Sequence, residues 1–148
     1  MFRLALSIIL SICLPFIAMA SSTLNTANEL DAHLVKACDV RAIIDTRFCE
    51  NSTPYGDGIF PIDFTMFNIY DIPDNGAMKK VIAASMTTST HHRTYGPVLG
   101  YSRIRVSYDN SIEVFSETVD METGDSLESF SMNCHINKGV TLVSSCRN

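Results

Sequence analysis

Leu24, Ala27, Leu30 and Leu34 recur at the three- and four-residue spacing of one helical face, and that period predicts a helix over residues 26–37. Thr26 with Glu29 three positions on forms a capping-box signature, in which the two side chains satisfy backbone N–H groups that a first turn leaves unpaired. Beyond residue 39 the period changes to two. Residues 40–48 (VRAIIDTRF) are rich in β-branched and apolar side chains and read as a strand. Residues 60–70 put Ile62, Phe64, Met66 and Tyr70 on one face and Asp63 and Thr65 on the other. Pro73-Asp74-Asn75-Gly76 predicts a hairpin turn, because proline presets φ and Asn-Gly accepts positive φ, with residues 78–87 as the returning strand. Residues 98–108 hold Val98, Ile104 and Val106 in phase, with Arg103 and Arg105 opposite. Asp109-Asn110 turns the chain into 111–119, Glu122-Thr123-Gly124-Asp125 into 126–134, and Asn137-Lys138-Gly139 into 140–144. One N-terminal helix and about seven strands on short polar turns predict a mainly β chain, an antiparallel curled sheet or small barrel closed by its first and last strands.

The start of the chain does not fit this pattern. A basic residue at Arg3, an apolar run to Ile17 and the small-x-small end Ala18-Met19-Ala20 have the order of a secretory signal peptide. Cleavage after Ala20 is expected, leaving residues 21–148 as a single β-rich domain in the periplasm or secreted. A membrane-spanning reading needs about 20 apolar residues, and the polar Ser21, Ser22 and Thr23 follow at once. A lipoprotein reading at Cys13 meets the branched Ile12 where a small residue is usual. No later stretch approaches spanning length, so no membrane span is expected after cleavage. The formal net charge is −5 and the longest basic run is Lys79-Lys80, so the electrostatic footprint of a nucleic-acid binder is missing.

Five cysteines sharpen the picture. Cys13 leaves with the leader, and Cys38, Cys49, Cys134 and Cys146 remain, an even number that reads as two disulfides in an exported chain. Zinc would ask for close pairs two to four residues apart. Four cysteines allow three connectivities. A strand over 40–48 would hold its ends about 30 Å apart at ~3.3 Å per residue, far beyond the ~5.5 Å Cα separation of a disulfide, which disfavours Cys38 with Cys49. Opposite residues of an antiparallel ladder keep a constant sum of positions, and the nested pairs Cys38–Cys146 and Cys49–Cys134 do so to within one residue. The crossed pairing stays open, since the turn at 137–139 puts Cys134 on the penultimate strand.

Candidate chemistry is sparse. His91-His92, with Met86 nearby, is the most conspicuous polar cluster. Adjacent residues of a strand point to opposite faces, so the two imidazoles could share a metal only in a loop, and no metal site is expected. A hydrolase needs a nucleophile, a base and an orienting group, yet there is no G-x-S-x-G. His33 is expected on the helix surface and His135, beside Cys134, in a structural place. The acids are scattered, and neither a Walker loop nor a dinucleotide fingerprint occurs, so no catalytic residue and no cofactor is expected. Asn51-Ser52-Thr53 is a formal glycosylation sequon weakened by Pro54. Tyr55, Tyr70, Tyr95, Tyr101 and Tyr108 with eight Phe fit strand faces, or else a curved face that binds a ligand.

The helix leading into residues 40–49 (VRAIIDTRFC), then 101–106, then Phe130-Ser131-Met132-Asn133-Cys134 and the closing Gly139-Val140, resembles the VirK family of Gram-negative bacteria over residues 24–145. The resemblance implies a small exported protein with a virulence association and places the family's paired cysteines at Cys49 and Cys134, with Cys38 and Cys146 as an added pair. It implies no catalytic residue. The expectation is a non-catalytic protein that binds an unknown protein partner, and the alternative is a periplasmic carrier of a small apolar ligand. An enclosed apolar cavity would favour the carrier and a filled core the interaction protein.

Overall fold

The structure, a computed structural model, describes residues 21–51 and 58–146; the signal-peptide reading falls on residues 1–20 and lies outside them, as does Tyr55. Strand β1 (Ser21–Leu24) leads into helix α1 (Ala27–Val35), and eight strands follow: β2 (Asp39–Asp45), β3 (Ile59–Asp63), β4 (Phe67–Asp74), β5 (Ala77–His92), β6 (Gly96–Ser107), β7 (Ser111–Asp120), β8 (Ser126–Ile136) and β9 (Gly139–Ser145). All nine join one sheet in the order β3-β2-β9-β8-β7-β6-β5-β4, with β1 on β9.

The helix forms where its cap and apolar stripe place it. Thr26 accepts a hydrogen bond from the Glu29 N–H at 3.2 Å, and Glu29 reaches back to the Asn25 N–H at 2.6 Å. Ala27, Leu30 and Leu34 are buried. The helix stops at Val35, two residues before the expected end, because Ala37 takes a positive φ of 56° and the Cys38 N–H turns back to the His33 carbonyl at 3.1 Å. Ala27 N–H donates to the Asn110 side chain at 2.8 Å, and Tyr108 O–H donates to Asp31, so α1 is tied across one rim of the curl.

Two expected strands are cut short. Residues 40–48 are strand only to Asp45, where a single 3-10 turn at Thr46–Phe48 bends the chain so that Cys49 comes back under the sheet. Residues 60–70 are two strands. Ile62 and Phe64 are buried as their phase requires, but Met66 is 73% exposed, because the Phe64 N–H bonds the Val40 carbonyl and the chain leaves one sheet edge for the other over residues 64–66. β3 therefore pairs with β2 while β4 pairs with β5. The sheet is rolled until its two edge strands are consecutive in sequence, yet no ladder joins them, so the curl stays open at this seam.

The hairpins β4–β5, β6–β7 and β7–β8 follow the expected turns, while β5 and β6 join through a turn at residues 93–95 that the pattern did not mark. Asn75 and Gly76 both take positive φ between β4 and β5, the type I′ pattern that matches strand twist. β5 extends through residues 78–87 to His92, since residues 87–92 pair with Gly96 to Tyr101 of β6 as an exposed Ser/Thr-rich arm.

Inward-facing residues of successive strands fill the curl: Val40, Ala42 and Ile44 of β2, Ile82 and Ala84 of β5, Ile104 and Val106 of β6, Ile112 and Val114 of β7, Met132 of β8, and Val140 and Leu142 of β9. With Leu24, Leu30 and Leu34 they form one cluster. Each such fully buried aliphatic side chain contributes roughly 1.5–3 kcal/mol of transfer free energy.

β8 and β9 do not form the hairpin expected at 137–139. Asn137 and Gly139 adopt positive φ, and the strands touch in a brief parallel contact, His135 with Gly139 and Ile136 with Val140. β9 then leaves β8 and runs between β1 and β2. Its antiparallel ladder with β2 runs from Asp39 opposite Ser145 to Ile44 opposite Val140, so first and last strands do meet. The Cys38–Cys146 disulfide is the next rung of that ladder. Cys49–Cys134 sits beside a second, local pairing of Glu50 with Asn133, held by hydrogen bonds of 2.7 and 3.0 Å. The nested connectivity thus rests on two ladders, one on β9 and one on β8.

Gly139 makes this junction possible. At its φ of 89°, an added Cβ would lie 2.7 Å from the Cys49 sulfur and 3.1 Å from the Phe48 carbonyl oxygen. Gly139→Ala should lose at least about 2 kcal/mol of stability from backbone strain and overlap with the disulfide, measured as a fall in urea midpoint at unchanged m-value. A midpoint unchanged from wild type at the same m-value would contradict the packing at this turn.

Candidate functional site

A groove of about 750 Å³ opens where the rim of α1 meets the seam of the curl. Leu34 and Ala37 from the helix end, Val40, Arg41 and Ile43 from β2, Phe64 and Phe67 across the seam, and Val143 from β9 line it. Its walls are mainly apolar. One lip is the ion pair of Arg41 Nε with Asp63 Oδ1 at 2.6 Å, with a second contact from the Arg41 terminal nitrogen at 3.3 Å. The carboxylate raises the Arg41 pKa further through that hydrogen bond and through charge, so the guanidinium of the lip stays charged. Ile43 is 38% exposed in the midst of it.

At the helix end of the groove lies the Cys38–Cys146 disulfide, with His33 beside it. The His33 Nδ1 is 2.8 Å from the hydroxyl of buried Ser144 and 3.7 Å from the Cys146 sulfur. His33 is half-buried, which corrects the expectation of a surface residue: α1 lies across the end of β9, and the face next to Leu34 turns inward. Spacing carried no hint of this, because the partners are more than a hundred positions away. Cys38 is buried at 7% exposure and Cys146 half-buried, while Cys49 and Cys134 are buried at 9% and 2% inside the core.

The other singled-out residues stay apart. His91 and His92 sit on β5, opposite Pro97 and Gly96 of β6, and so face opposite sides of the arm; His92 stacks on Tyr95 at 4.8 Å. His135 is exposed on β8. Tyr101 packs on Phe115 at 6.3 Å and Tyr70 accepts from Arg105 at 3.3 Å, so these aromatics serve one outer sheet face rather than a common ligand face. The groove itself was not legible in the sequence, since three stretches, residues 34–43, 63–67 and 143–145, build it from far apart in the chain.

Among the described residues no helix is long and apolar enough to cross a membrane. Fold and site together define a small, open-curled β protein with two nested disulfides and a helix across one rim. That fold is VirK-like: the structure superposes on the crystal structure of a VirK family protein from Legionella pneumophila with a TM-score of 0.67 at 17% identity, covering 81% of this chain and 97% of that one. No protein-family model matches the chain, and no curated protein is similar to it in sequence.

A second, smaller groove of about 260 Å³ runs over the outer face beside Lys79, Arg105, Ser111, Glu113 and His135. At its edge Asp109 accepts from the Ser111 hydroxyl at 2.6 Å and pairs with Lys79 at 2.9 Å. These contacts, the hydroxyl first, hold its carboxyl well below the ordinary value of 3.8. A depressed carboxylate contributes stability that is complete above its unfolded-state pKa and is lost as pH falls toward the folded one. Asp109→Asn should therefore weaken the protein at pH 7 by less than about 1 kcal/mol, given the exposure of the pair, and by a smaller amount near pH 2, where part of that stability is already lost. Urea melts at both values check this; an equal loss at both would contradict it.

Proposed function

We propose that the protein is a non-catalytic binding protein of the periplasm or extracellular space, and that its groove takes an extended segment of a protein partner. The observation that carries the reading is the filled interior of the curl: Ile44, Ile62, Ile82, Ile104, Met132 and Leu142 each have less than 2% of their surface exposed. A carrier of a small apolar molecule would need that space. What is left for binding is an open trough on the rim, with apolar walls to hold side chains and the Arg41–Asp63 lip to fix direction. Beside it β3 is an edge strand, paired with β2 alone among the described strands. An exposed edge can hydrogen-bond an added peptide strand while neighbouring pockets read alternate side chains. Two disulfides suit an oxidising compartment.

The small apolar ligand is the second reading, favoured by the apolar lining of Leu34, Phe64, Phe67 and Val143. A photo-cross-linker at Ile43, with one at exposed Met121 as reference, separates the two. The protein-partner reading expects a cross-linked protein from envelope or culture fluid at position 43 and not at 121. A synthetic peptide of the captured segment should then bind wild type and bind Ile43→Asp at least tenfold more weakly, about 1.4 kcal/mol. Stoichiometric recovery of an apolar small molecule from the purified protein, or a peptide affinity unmoved by Ile43→Asp, would overturn it.

A further inference from the structure

Three features remain that the proposed function does not absorb: the exposed arm with His91 and His92, the polar outer groove around Asp109, and the imidazole held against a disulfide at the rim. The arm splits its two histidines between faces, and the charges of the outer groove neutralise one another in pairs. The third has the parts of a site. His33, Cys38 and Cys146 offer one imidazole nitrogen and two sulfurs that all lie within 4.8 Å of one another.

We propose that Cys38–Cys146 is an exchangeable disulfide, and that its reduced form is a zinc site made of the Cys38 and Cys146 thiolates and the His33 imidazole. Zinc takes sulfur at ~2.3 Å and imidazole nitrogen at ~2.0–2.1 Å in a tetrahedron. Those bond lengths imply a nitrogen-to-sulfur edge of about 3.6 Å and a sulfur-to-sulfur edge of about 3.8 Å. The His33 Nδ1 already stands 3.7 Å from the Cys146 sulfur. The two sulfurs must separate, and the Cys38 sulfur, within 4.8 Å of the imidazole, must close on it by up to about 1 Å; breaking the bond between the sulfurs permits both by side-chain rotation. The backbone is held independently: the β2–β9 ladder ends one rung away, and the Cys38 N–H is bonded to the His33 carbonyl. Ser144 releases Nδ1 to the metal, and the fourth position is left to water.

The two disulfides differ in access. Cys38 is itself buried at 7% exposure although it lines the groove, and the difference lies at Cys146, which is half-buried, whereas Cys49 and Cys134 are both packed in the core against Gly139. The reductant is a dithiol of the Cys-x-x-Cys class. Its thiolate attacks the Cys146 sulfur, forming a mixed disulfide and expelling Cys38 as a thiolate. Its second thiol then closes the dithiol's own disulfide and frees Cys146. Two electrons pass to the protein, the dithiol is oxidised, and zinc displaces the remaining thiol protons to solvent. Reactivity follows access to the attacked sulfur, so the rim disulfide opens first.

The test uses the full oxidised chain, reduced with limiting dithiothreitol, desalted without air and titrated with cadmium, whose thiolate charge-transfer absorption reports sulfur ligation. The site predicts one cadmium per chain, competed by zinc, with Cys38 and Cys146 the thiols that are alkylated when metal is withheld. The band should persist in Cys49→Ser/Cys134→Ser if that variant folds, and vanish in Cys38→Ser/Cys146→Ser. His33→Ala should weaken binding about tenfold or more, the usual cost of losing one ligand or its support. The proposal is overturned by the absence of the band in reduced wild type, by its survival in Cys38→Ser/Cys146→Ser, or by alkylation of Cys49 and Cys134 first. It is also overturned if circular dichroism shows that opening the rim disulfide unfolds the chain.

Discussion

The antiparallel pairing of β2 with β9 is the constraint on which the rest of the structure depends. It brings together residues about a hundred positions apart, and everything between them must roll up to let that pairing form. The rolling explains why the long meander from β4 to β8 curls, why β3 and β4 end as opposite edges although only residues 64–66 separate them, and why α1 can lie across the end of β9. The cost of closing so long a loop grows only logarithmically with its length, and the inward rows of Ile, Val and Leu on six strands offset it.

The disulfides reinforce this closure unequally. Either one, closed alone, cross-links 85 or 108 residues and on the chain-entropy estimate contributes about 4.5 kcal/mol. Because they are nested, the second to form closes only a ring of the two short arms between them, worth about 3.5 kcal/mol on the same estimate. Position separates them further. Cys49–Cys134 is part of the core, and the tight turn at Gly139 is shaped around it. Cys38–Cys146 extends a ladder already made and borders the groove, with Cys146 half-buried.

Much of the fold was legible in local signals. The helix start at Thr26, the Asn75-Gly76 turn and the in-phase rows of β6 and β7 are each dictated by neighbours within a few residues. The failures share a cause: they turn on tertiary contacts. Residues 64–66 keep the alternation of a strand, and only the hydrogen bond from Phe64 to Val40 shows that the chain changes edges there. The 3-10 turn after Asp45 hides inside an apolar run, and β1 is four residues that gain meaning only from β9. The register argument for the cysteines succeeded because antiparallel pairing leaves an arithmetic trace, although two ladders produced it. The groove and the position of His33 left none, because they are assembled from segments whose spacing is arbitrary. The VirK-like resemblance read from short motifs agrees with the fold, while the role proposed for the groove rests on its own geometry.

The central claim is that the two ends of the β2 segment are clipped to the last two strands, Cys38 to Cys146 and Cys49 to Cys134. Tryptic mapping of the oxidised protein, unfolded at acidic pH with free thiols blocked, tests it most directly. Cleavage after Lys36, Arg41, Arg47, Arg105 and Lys138 puts each of the four cysteines on its own peptide. The account requires the peptide spanning residues 37–41 to be joined to that beginning at Gly139, and the peptide spanning 48–79 to that spanning 106–138. A linkage of 37–41 to 48–79 would contradict the extended course of β2, its pairing with β9 and the rolled sheet that follows from it.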